Sequence, residues 1–230
     1  MTNRRFGWGE LYAFHRFLAP LGEEALLGAA RAAAAHEGMT LVELACGNAA
    51  AGLFLAEEFH LYLRGVEPFH DLLELAHDAA GRSPAAGRCR LFHGDSVHVE
   101  WGLGPFDLAL SLRGAFPPPG LVKAGGRILF GRFVSRRPSL PDSLRDAYPG
   151  ALPSKGPPPL WRHVATPLEW ERFLEPQERA LRRYRLSLGR EEAITPVAEV
   201  AERQVAGYRA HGAYLDYELG VFRVPGGAEE

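Results

Sequence analysis

Short apolar segments alternate with helix-length segments through the middle of this chain, and this alternation constrains the fold more than any other feature. The apolar segments cover residues 40–45, 61–66, 89–92, 106–112 and 127–134. Their lengths and the spacers between them predict right-handed strand–helix–strand units. Such units build a parallel sheet, so the sequence predicts the α/β class.

Further elements are predicted on both sides of this region. Helices are predicted at residues 10–18, 23–36, 49–59, 69–80, 168–187 (one or two helices) and 196–211, and strands at 160–165 and 213–224. The second of these helices is expected to end at Gly38. Prolines crowd the stretch between residues 117 and 159. Because proline cannot donate a ladder hydrogen bond, we expect much of this stretch to run over the carboxyl edge of the sheet.

The composition excludes several classes of protein. A chain of 230 residues with 47% hydrophobic and 23% charged residues fits one well-filled globular domain. Its formal net charge of −2 gives no overall attraction to nucleic acid or to an anionic membrane. Cys46 and Cys89 lack the spacing of a disulfide framework or a metal site, so we expect neither. The amino terminus lacks a signal peptide's apolar core, and no apolar run reaches the roughly 18–20 residues of a membrane helix, so we expect a cytoplasmic protein without membrane contact.

The segment from Leu41 to Gly52 carries the strongest functional signal. It reads Leu-Val-Glu-Leu-Ala-Cys-Gly-Asn-Ala-Ala-Ala-Gly, a buried strand that opens into small residues and then a helix. Small residues let the backbone approach a ligand, and the start of a helix offers unpaired N–H groups. The dinucleotide fingerprint fits poorly, because only Gly47 among Ala45, Gly47 and Ala50 is a glycine. A nicotinamide-dependent dehydrogenase is therefore disfavoured.

The same segment resembles the acidic-x-G-x-G-x-G loop of the class I S-adenosylmethionine-dependent methyltransferases. Glu43 is the acidic member and Gly47 is retained, whereas Ala45 and Ala49 replace the first and third glycines. We expect alanine to be tolerated there if the backbone requires no positive φ.

Four further landmarks of that family follow in order, each at one end of a predicted strand. Glu67 lies 20 residues after Gly47, and Gly94-Asp95 ends the third strand. Residues 105–110 match the Phe-Asp-x-Ala pattern, and residues 121–128 match the Leu-Lys-Pro-Gly-Gly turn with alanine in place of proline. The resemblance implies that the Glu67 carboxylate accepts hydrogen bonds from ribose hydroxyls and that Asp95 meets the adenine amino group.

The resemblance also implies the architecture. It predicts a Rossmann-like, doubly wound, mostly parallel seven-stranded sheet with an antiparallel last strand and an N-terminal helical cap. Residues 1–230 would form a single domain, with the cap at 1–25 and a variable, substrate-side insertion at 135–180. The helix containing Trp170-Glu171-Arg172-Phe173 and the aromatic stretch from Tyr208 to Phe222 are similar to those of small bacterial methyltransferases of unassigned substrate.

The implied cofactor is S-adenosylmethionine, with S-adenosylhomocysteine as the product. The implied cofactor-binding residues are Glu43, Ala45, Cys46, Gly47, Asn48, Glu67, Pro68, Asp95, Ser96 and Ser111. Because the sulfonium supplies an activated methyl group, in-line displacement needs mainly positioning, and a general base only if the acceptor must lose a proton early. His15 and Arg113 are candidate catalytic residues. Arg113 lies just past the fourth strand, where it is a candidate for holding an anionic substrate.

Several alternatives remain open at this stage. Glu43 is also consistent with a local ion pair or cap, Glu67 with a turn, and Asp95 with a helix cap. Cys46 is typical of a small buried hydrophobic residue, and a structural role is favoured for Asp107.

Function classes also compete. A small-molecule acceptor is favoured over nucleic acid, because residues 111–118 lack the Asn/Asp-Pro-Pro-aromatic order of amino-directed DNA methyltransferases. A non-catalytic binder of the cofactor is the third possibility, supported by the two missing glycines.

Overall fold

Seven strands form one mixed sheet at the centre of the structure. In this computed structural model the described residues are 6–95, 105–113, 115–148, 151, 158–188 and 193–226. The strands are β1 (Thr40–Leu44), β2 (Tyr62–Glu67), β3 (Cys89–His93), β4 (Phe106–Ser111), β5 (Val122–Ser135), β6 (Trp161–Val164) and β7 (Leu215–Arg223). Their order across the sheet is β3-β2-β1-β4-β5-β7-β6.

The first five strands are parallel, and β7 runs antiparallel between β5 and β6. From β1 the chain proceeds outward to β2 and β3, then returns to place β4 on the other side of β1. The strand order therefore reverses between β1 and β4, and ligands of open α/β sheets bind outside the strands' carboxyl ends at such a reversal. The predicted Rossmann-like sheet with an antiparallel last strand is confirmed.

Helices surround the sheet and cover its carboxyl edge. They are α1 (Trp8–Tyr12), α2 (Glu23–Ala32), α3 (Ala50–Glu58), α4 (His70–Arg82), α5 (Asp142–Ala147), α6 (Pro167–Ser187) and α7 (Pro196–His211). The two longest helices begin with proline after a threonine cap, because proline needs no amide partner in the first turn and the hydroxyl accepts one of the free N–H groups. The single helix α6 continues through Pro176.

Alternate residues of each strand enter two apolar layers. On one face Leu41, Leu63 and Leu110 pack with Leu26 of α2 and Leu55 of α3. The other face carries a second buried cluster drawn from β1, β2, β4 and β5, whose members include Val42, Leu44, Val66, Ala109 and Ile128. Because both faces of β1 are buried, the strand is apolar throughout except at Thr40 and Glu43.

The prediction of a helix at residues 10–18 is wrong over most of this range. Helix α1 ends at Tyr12, and residues 13–20 form turns and bends. Tertiary hydrogen bonds hold this stretch in its turns, because the Asn48 side chain donates to the carbonyl oxygens of His15 and Arg16.

The fifth strand also differs from the prediction, because it begins at Val122 rather than after the glycine turn at 121–126. Phe106 pairs with Val122, but Leu108 pairs with Arg127, so β5 carries extra residues as a bulge. Gly125 has φ +78° within this bulge, a conformation that glycine adopts without strain.

Helix α2 ends at Ala32, earlier than the predicted stop at Gly38. The N–H of Ala34 donates to the Arg31 carbonyl and the N–H of Ala35 donates to the Ala30 carbonyl, the two bonds of a Schellman motif. Ala34 occupies the left-handed position of this motif with φ +55°, where glycine is usual. The helix therefore ends on a strained alanine.

We predict that Ala34→Gly raises the free energy of unfolding by about 0.5–1 kcal/mol, because it relieves the left-handed strain. The control is Ala32→Gly, inside the same helix, which should lower that free energy by a similar amount. Urea denaturation of the two variants checks this. A loss of stability in Ala34→Gly would contradict the assigned helix end.

None of the helices within the described ranges combines the length and apolarity needed to cross a membrane.

Candidate functional site

A cavity of about 200 Å³ lies at the carboxyl ends of β1, β2 and β4. Its floor is the loop that follows β1, including Ala45 and Gly47, and one wall is Glu67 at the end of β2. Trp8 and Tyr12 of α1 cover it. The cavity therefore lies at the strand-order reversal, where the fold predicts a ligand.

The loop between β1 and α3 places every second residue in the left-handed region. The φ angles are +49° at Ala45, +58° at Gly47 and +54° at Ala49. The condition under which alanine was expected to be tolerated, a backbone without positive φ, is therefore not met at Ala45 and Ala49. Left-handed backbone costs an alanine roughly 1–2 kcal/mol, so the rest of the structure must hold this loop in place.

Glu67 supplies part of that restraint. Its Oε2 accepts from the Gly47 N–H at 2.7 Å, and its Oε1 accepts from the Phe69 N–H at 3.0 Å. The side chain is buried, and burial raises the pKa of the carboxyl although the two amide donors oppose the shift. An ionised carboxylate has about four lone-pair sites, so two remain for a ligand.

Glu43 lies below the same loop, and its Oε2 accepts from the Gly52 N–H at 3.2 Å in the first turn of α3. It is buried and also lines the cavity. Burial raises its pKa to about 8; the Gly52 amide opposes this shift and the nearby Glu67 charge adds to it. The carboxyl group is therefore mainly protonated at neutral pH while the cavity holds no cation.

Gly47 and Asn48 join the loop to the amino-terminal segment. The Leu18 side chain packs directly against Gly47, where a Cβ would meet its Cδ1 atom. The Asn48 amide donates to the His15 carbonyl at 3.1 Å, and its Oδ1 accepts from the Ala50 N–H at 3.2 Å. Asn48 thereby holds the loop and the covering segment in one arrangement.

Cys46, which directly precedes Gly47, is buried, and burial raises the pKa of its thiol well above the ordinary value. The thiol therefore packs as a small apolar group, as the sequence favoured, although its residue still contributes to the cavity wall.

An aromatic cover closes the cavity from above. The Trp8 ring stacks with Tyr12 at 6.0 Å between centroids and lies 5.7 Å from Phe69. The Gly9 N–H donates to Asp71 Oδ2 at 2.7 Å, which fixes α1 to α4. Phe69 follows Glu67-Pro68 directly, so its position in the sequence could have indicated it, whereas Leu18 carries no sequence signal.

Arg113 lies at the far end of the cavity, just past β4. Its guanidinium carbon lies 5.5 Å, 6.0 Å and 5.8 Å from the ring centroids of Tyr12, Phe133 and Phe173, and Nη1 donates to the Tyr12 hydroxyl. We call these three rings the aromatic box. The box is built from α1, β5 and α6, so Arg113 lies where three elements meet.

His15 packs behind this box rather than on the cavity wall. Its ring lies edge-on to Tyr12 and to Phe173, and Nε2 is 2.8 Å from the Phe173 carbonyl oxygen. Burial lowers its pKa to about 4; the Phe173 carbonyl opposes the shift and the Arg113 charge adds to it. A neutral His15 therefore supports Tyr12, and its role as a catalytic residue stays a prediction.

Two other predicted site residues, Asp95 and Ser111, do not line the cavity in the described structure. Asp95 is exposed beyond β3, beside Glu67, whose carbonyl accepts from the Gly94 N–H. Ser111 is buried and donates to the Ala115 carbonyl at 3.0 Å. Ser96 lies outside the described residues. Their contacts with a cofactor stay predictions.

Asp107 lies at the opposite edge of the sheet. It accepts from the N–H and hydroxyl of Thr40, and the Lys123 ammonium group lies 2.6 Å from its Oδ1. These bonds join the starts of β1, β4 and β5, in agreement with the structural role favoured for Asp107. In the part of the chain described, no group of three or more His, Cys, Asp or Glu side chains is arranged to hold a metal ion.

Comparison with known proteins identifies the fold. No family model and no curated protein matches the chain. Among solved structures it is similar to a S-adenosylmethionine-dependent methyltransferase from Geobacter sulfurreducens in complex with S-adenosylhomocysteine. The TM-score is 0.76 and the identity 17%, over 96% of this chain and 99% of that one. A second such methyltransferase, from Thiobacillus denitrificans, gives a TM-score of 0.74 at 18% identity, over 94% and 98%. This chain has the methyltransferase fold.

The same fold also occurs in a protein whose name gives a different activity. The [4+2]-cyclase SpnF matches with a TM-score of 0.70 at 15% identity, over 89% of this chain and 81% of that chain. At these identities the likeness establishes the fold, and the reaction has to be argued from the site itself.

We predict that Ala45→Gly raises the free energy of unfolding by about 0.5–1 kcal/mol, because its half-buried methyl group stabilises little and its left-handed strain is removed. Thermal and urea unfolding measure the effect. Ala34→Gly is the matched control, being an exposed left-handed alanine remote from the cavity. If Ala34→Gly raised the free energy of unfolding but Ala45→Gly lowered it, the prediction would be wrong and the loop would depend on the Ala45 methyl group.

We also predict a pH-dependent difference between Glu43→Gln and the unsubstituted protein. Folding favours the protonated Glu43, so its contribution to stability is fully present below the ordinary pKa near 4.5 and is lost as the pH rises toward 8. Glutamine stays neutral at every pH. Between pH 5 and pH 8 the free energy of unfolding of the variant should therefore rise, relative to that of the parent, by on the order of a few kcal/mol. Urea denaturation at several pH values measures this, and parallel stability profiles would contradict a buried, protonated Glu43.

Proposed function

We propose that this protein binds S-adenosylmethionine in the cavity and transfers its methyl group to a small-molecule acceptor. One observation carries the proposal: the left-handed loop at 45–49 and the Glu67 carboxylate lie together in one cavity at the strand-order reversal. The two solved methyltransferases named above, which share the fold, were both crystallised with S-adenosylhomocysteine.

The residues present fit this cofactor. The two unused acceptor sites of Glu67 match the two hydroxyl donors of a ribose. Phe69 and Leu72 offer an apolar wall for the adenine next to Pro68. Glu43, once ionised, would balance the positive charge of the bound cofactor. The proposed cofactor-binding residues are Glu43, Ala45, Cys46, Gly47, Asn48, Glu67, Pro68, Asp95, Ser96 and Ser111.

S-adenosylmethionine supplies a methyl group already activated by the positive sulfur. The chain's own contribution is to position the two reactants and to keep water out with the cover formed by Trp8, Tyr12 and Phe69. Apart from the two carboxyl groups assigned to the cofactor, the titratable groups on the described cavity wall are Cys46, Tyr12 and Arg113, and burial raises the pKa of the Cys46 thiol well above its ordinary value. In-line displacement with catalysis mainly by positioning fits this set, because it requires no general base.

The size and lining of the cavity favour a small acceptor over nucleic acid. The enclosed, largely apolar space is about 200 Å³, below the roughly 300–1,000 Å³ typical of small-ligand pockets. We therefore expect Leu18 and its segment to move outward when a nucleoside-sized ligand binds. A polynucleotide would need a basic groove, and the net charge of −2 offers no general support for one.

The loop geometry weakens the case for a non-catalytic binder. That alternative depended on the two missing glycines. Because Ala45 and Ala49 keep the left-handed backbone, the loop retains the shape that glycines would allow.

Calorimetry with S-adenosylmethionine and S-adenosylhomocysteine tests the proposal. We predict micromolar binding of both, weakened about tenfold or more by Glu67→Gln, which replaces one carboxylate acceptor with a donor. Glu175→Gln, on the exposed face of α6, is the matched control and should bind as the parent does. If the folded parent binds neither nucleoside, the proposed function is wrong.

A further inference from the structure

We propose that the acceptor carries a carboxylate group, which binds Arg113 where this side chain lines the cavity. The inference rests on the proposed function and deepens it by naming the substrate class: a small, planar, aromatic or unsaturated carboxylic acid. It stands on the charge of Arg113, on its missing counter-ion and on the apolar walls around it.

Among the described residues, Arg113 has no anionic partner. Its guanidinium makes a single hydrogen bond in the described structure, to the Tyr12 hydroxyl, and it has no carboxylate within ion-pair distance there. Other arginines contrast with it, since Arg136 pairs with Asp216 and Arg209 with Glu171. A guanidinium stays protonated in proteins and carries five N–H donors, so most of its donors remain available to a ligand.

The surroundings make an unpaired charge costly. Three aromatic rings lie within about 6 Å of the guanidinium carbon. Cation–π attraction to these rings offsets only part of the cost of holding a half-buried charge partly away from water. A bound anion would supply the remainder. A carboxylate accepts two parallel N–H bonds from the planar fork, the strongest arrangement available to it.

The structure also fixes the backbone that carries Arg113. The buried Tyr217 hydroxyl donates to the Leu112 carbonyl at 2.7 Å, one residue before it. Ser111 closes the adjoining turn onto Ala115. These bonds hold the residues next to Arg113 in one position, as a recognition site requires.

A singly charged, flat anion fits better than a phosphate. Arg113 is the one cationic side chain on the described cavity wall, and the neighbouring His15 is neutral at physiological pH. The wall also contains the Glu67 carboxylate, which disfavours a second negative charge on the ligand. The rings of Trp8 and Tyr12 offer apolar faces on which a planar ligand body can stack.

The test measures binding of benzoate, its neutral isostere benzamide, and phenylphosphonate by NMR titration. Each titration is run with and without saturating S-adenosylhomocysteine. We expect benzoate to bind at least about tenfold more tightly than benzamide and phenylphosphonate. Arg113→Gln should abolish the preference for benzoate over benzamide. Arg179→Gln, an exposed arginine on α6, should keep it.

Several outcomes would overturn the inference. Equal binding of benzoate and benzamide, a preference that survives Arg113→Gln, or tighter binding of phenylphosphonate would each do so. A further outcome would assign Arg113 to the cofactor's own carboxylate. In that case Arg113→Gln would weaken the binding of S-adenosylhomocysteine more than tenfold but leave the binding of methylthioadenosine, which lacks that carboxylate, unchanged. If Arg113→Gln fails to fold, Tyr12→Phe provides the second test and should reduce the preference severalfold.

The two proposals fail in different ways. The titrations without nucleoside report on Arg113 whether or not the cofactor binds. Nucleoside binding without a carboxylate preference would refute only the inference, and the absence of nucleoside binding would refute the proposed function.

Discussion

The carboxylate of Glu67 is the interaction on which the site depends. It joins the loop after β1 to the turn after β2 through the N–H groups of Gly47 and Phe69. Two strand ends that are neighbours in the sheet are thereby fixed relative to each other at the point where the strand order reverses. The positions of the left-handed loop, of the Phe69 ring and of the start of α4 all follow from this bridge.

The sheet and the positions of Gly47 and Glu67 at the cavity were predictable from sequence, because both depend on short-range patterns. Apolar strands such as residues 40–45 report burial on both faces, and Glu67 and Gly47 stand at fixed positions relative to strand ends. Structural similarity to methyltransferases confirms the fold that these patterns indicated. The loop's backbone was not predictable, because a glycine pattern reports residue type and the structure instead imposes left-handed φ angles on alanines.

The end of the cavity around Arg113 depends on long-range contacts, which leave little trace in the sequence. The turns after Tyr12 are held by the Asn48 side chain, which donates to the carbonyl groups of His15 and Arg16 from more than 30 residues further along the chain. Arg113 was identifiable as a residue past a strand, but its aromatic box joins residues from α1, β5 and α6. No local periodicity brings Tyr12, Phe133 and Phe173 together, so this environment is visible only in the folded chain.

The position of the segment that contains Leu18 bears on how fast a ligand can enter or leave the cavity. It lies directly on Gly47, and Asn48 holds it by two backbone carbonyl groups. If a molecule of nucleoside size binds here as proposed, these contacts have to break before it enters or leaves, and its dwell time depends on how often the segment lifts. Segments of this kind open on the microsecond to millisecond scale in many enzymes, where departure of product, rather than the chemical step, limits turnover.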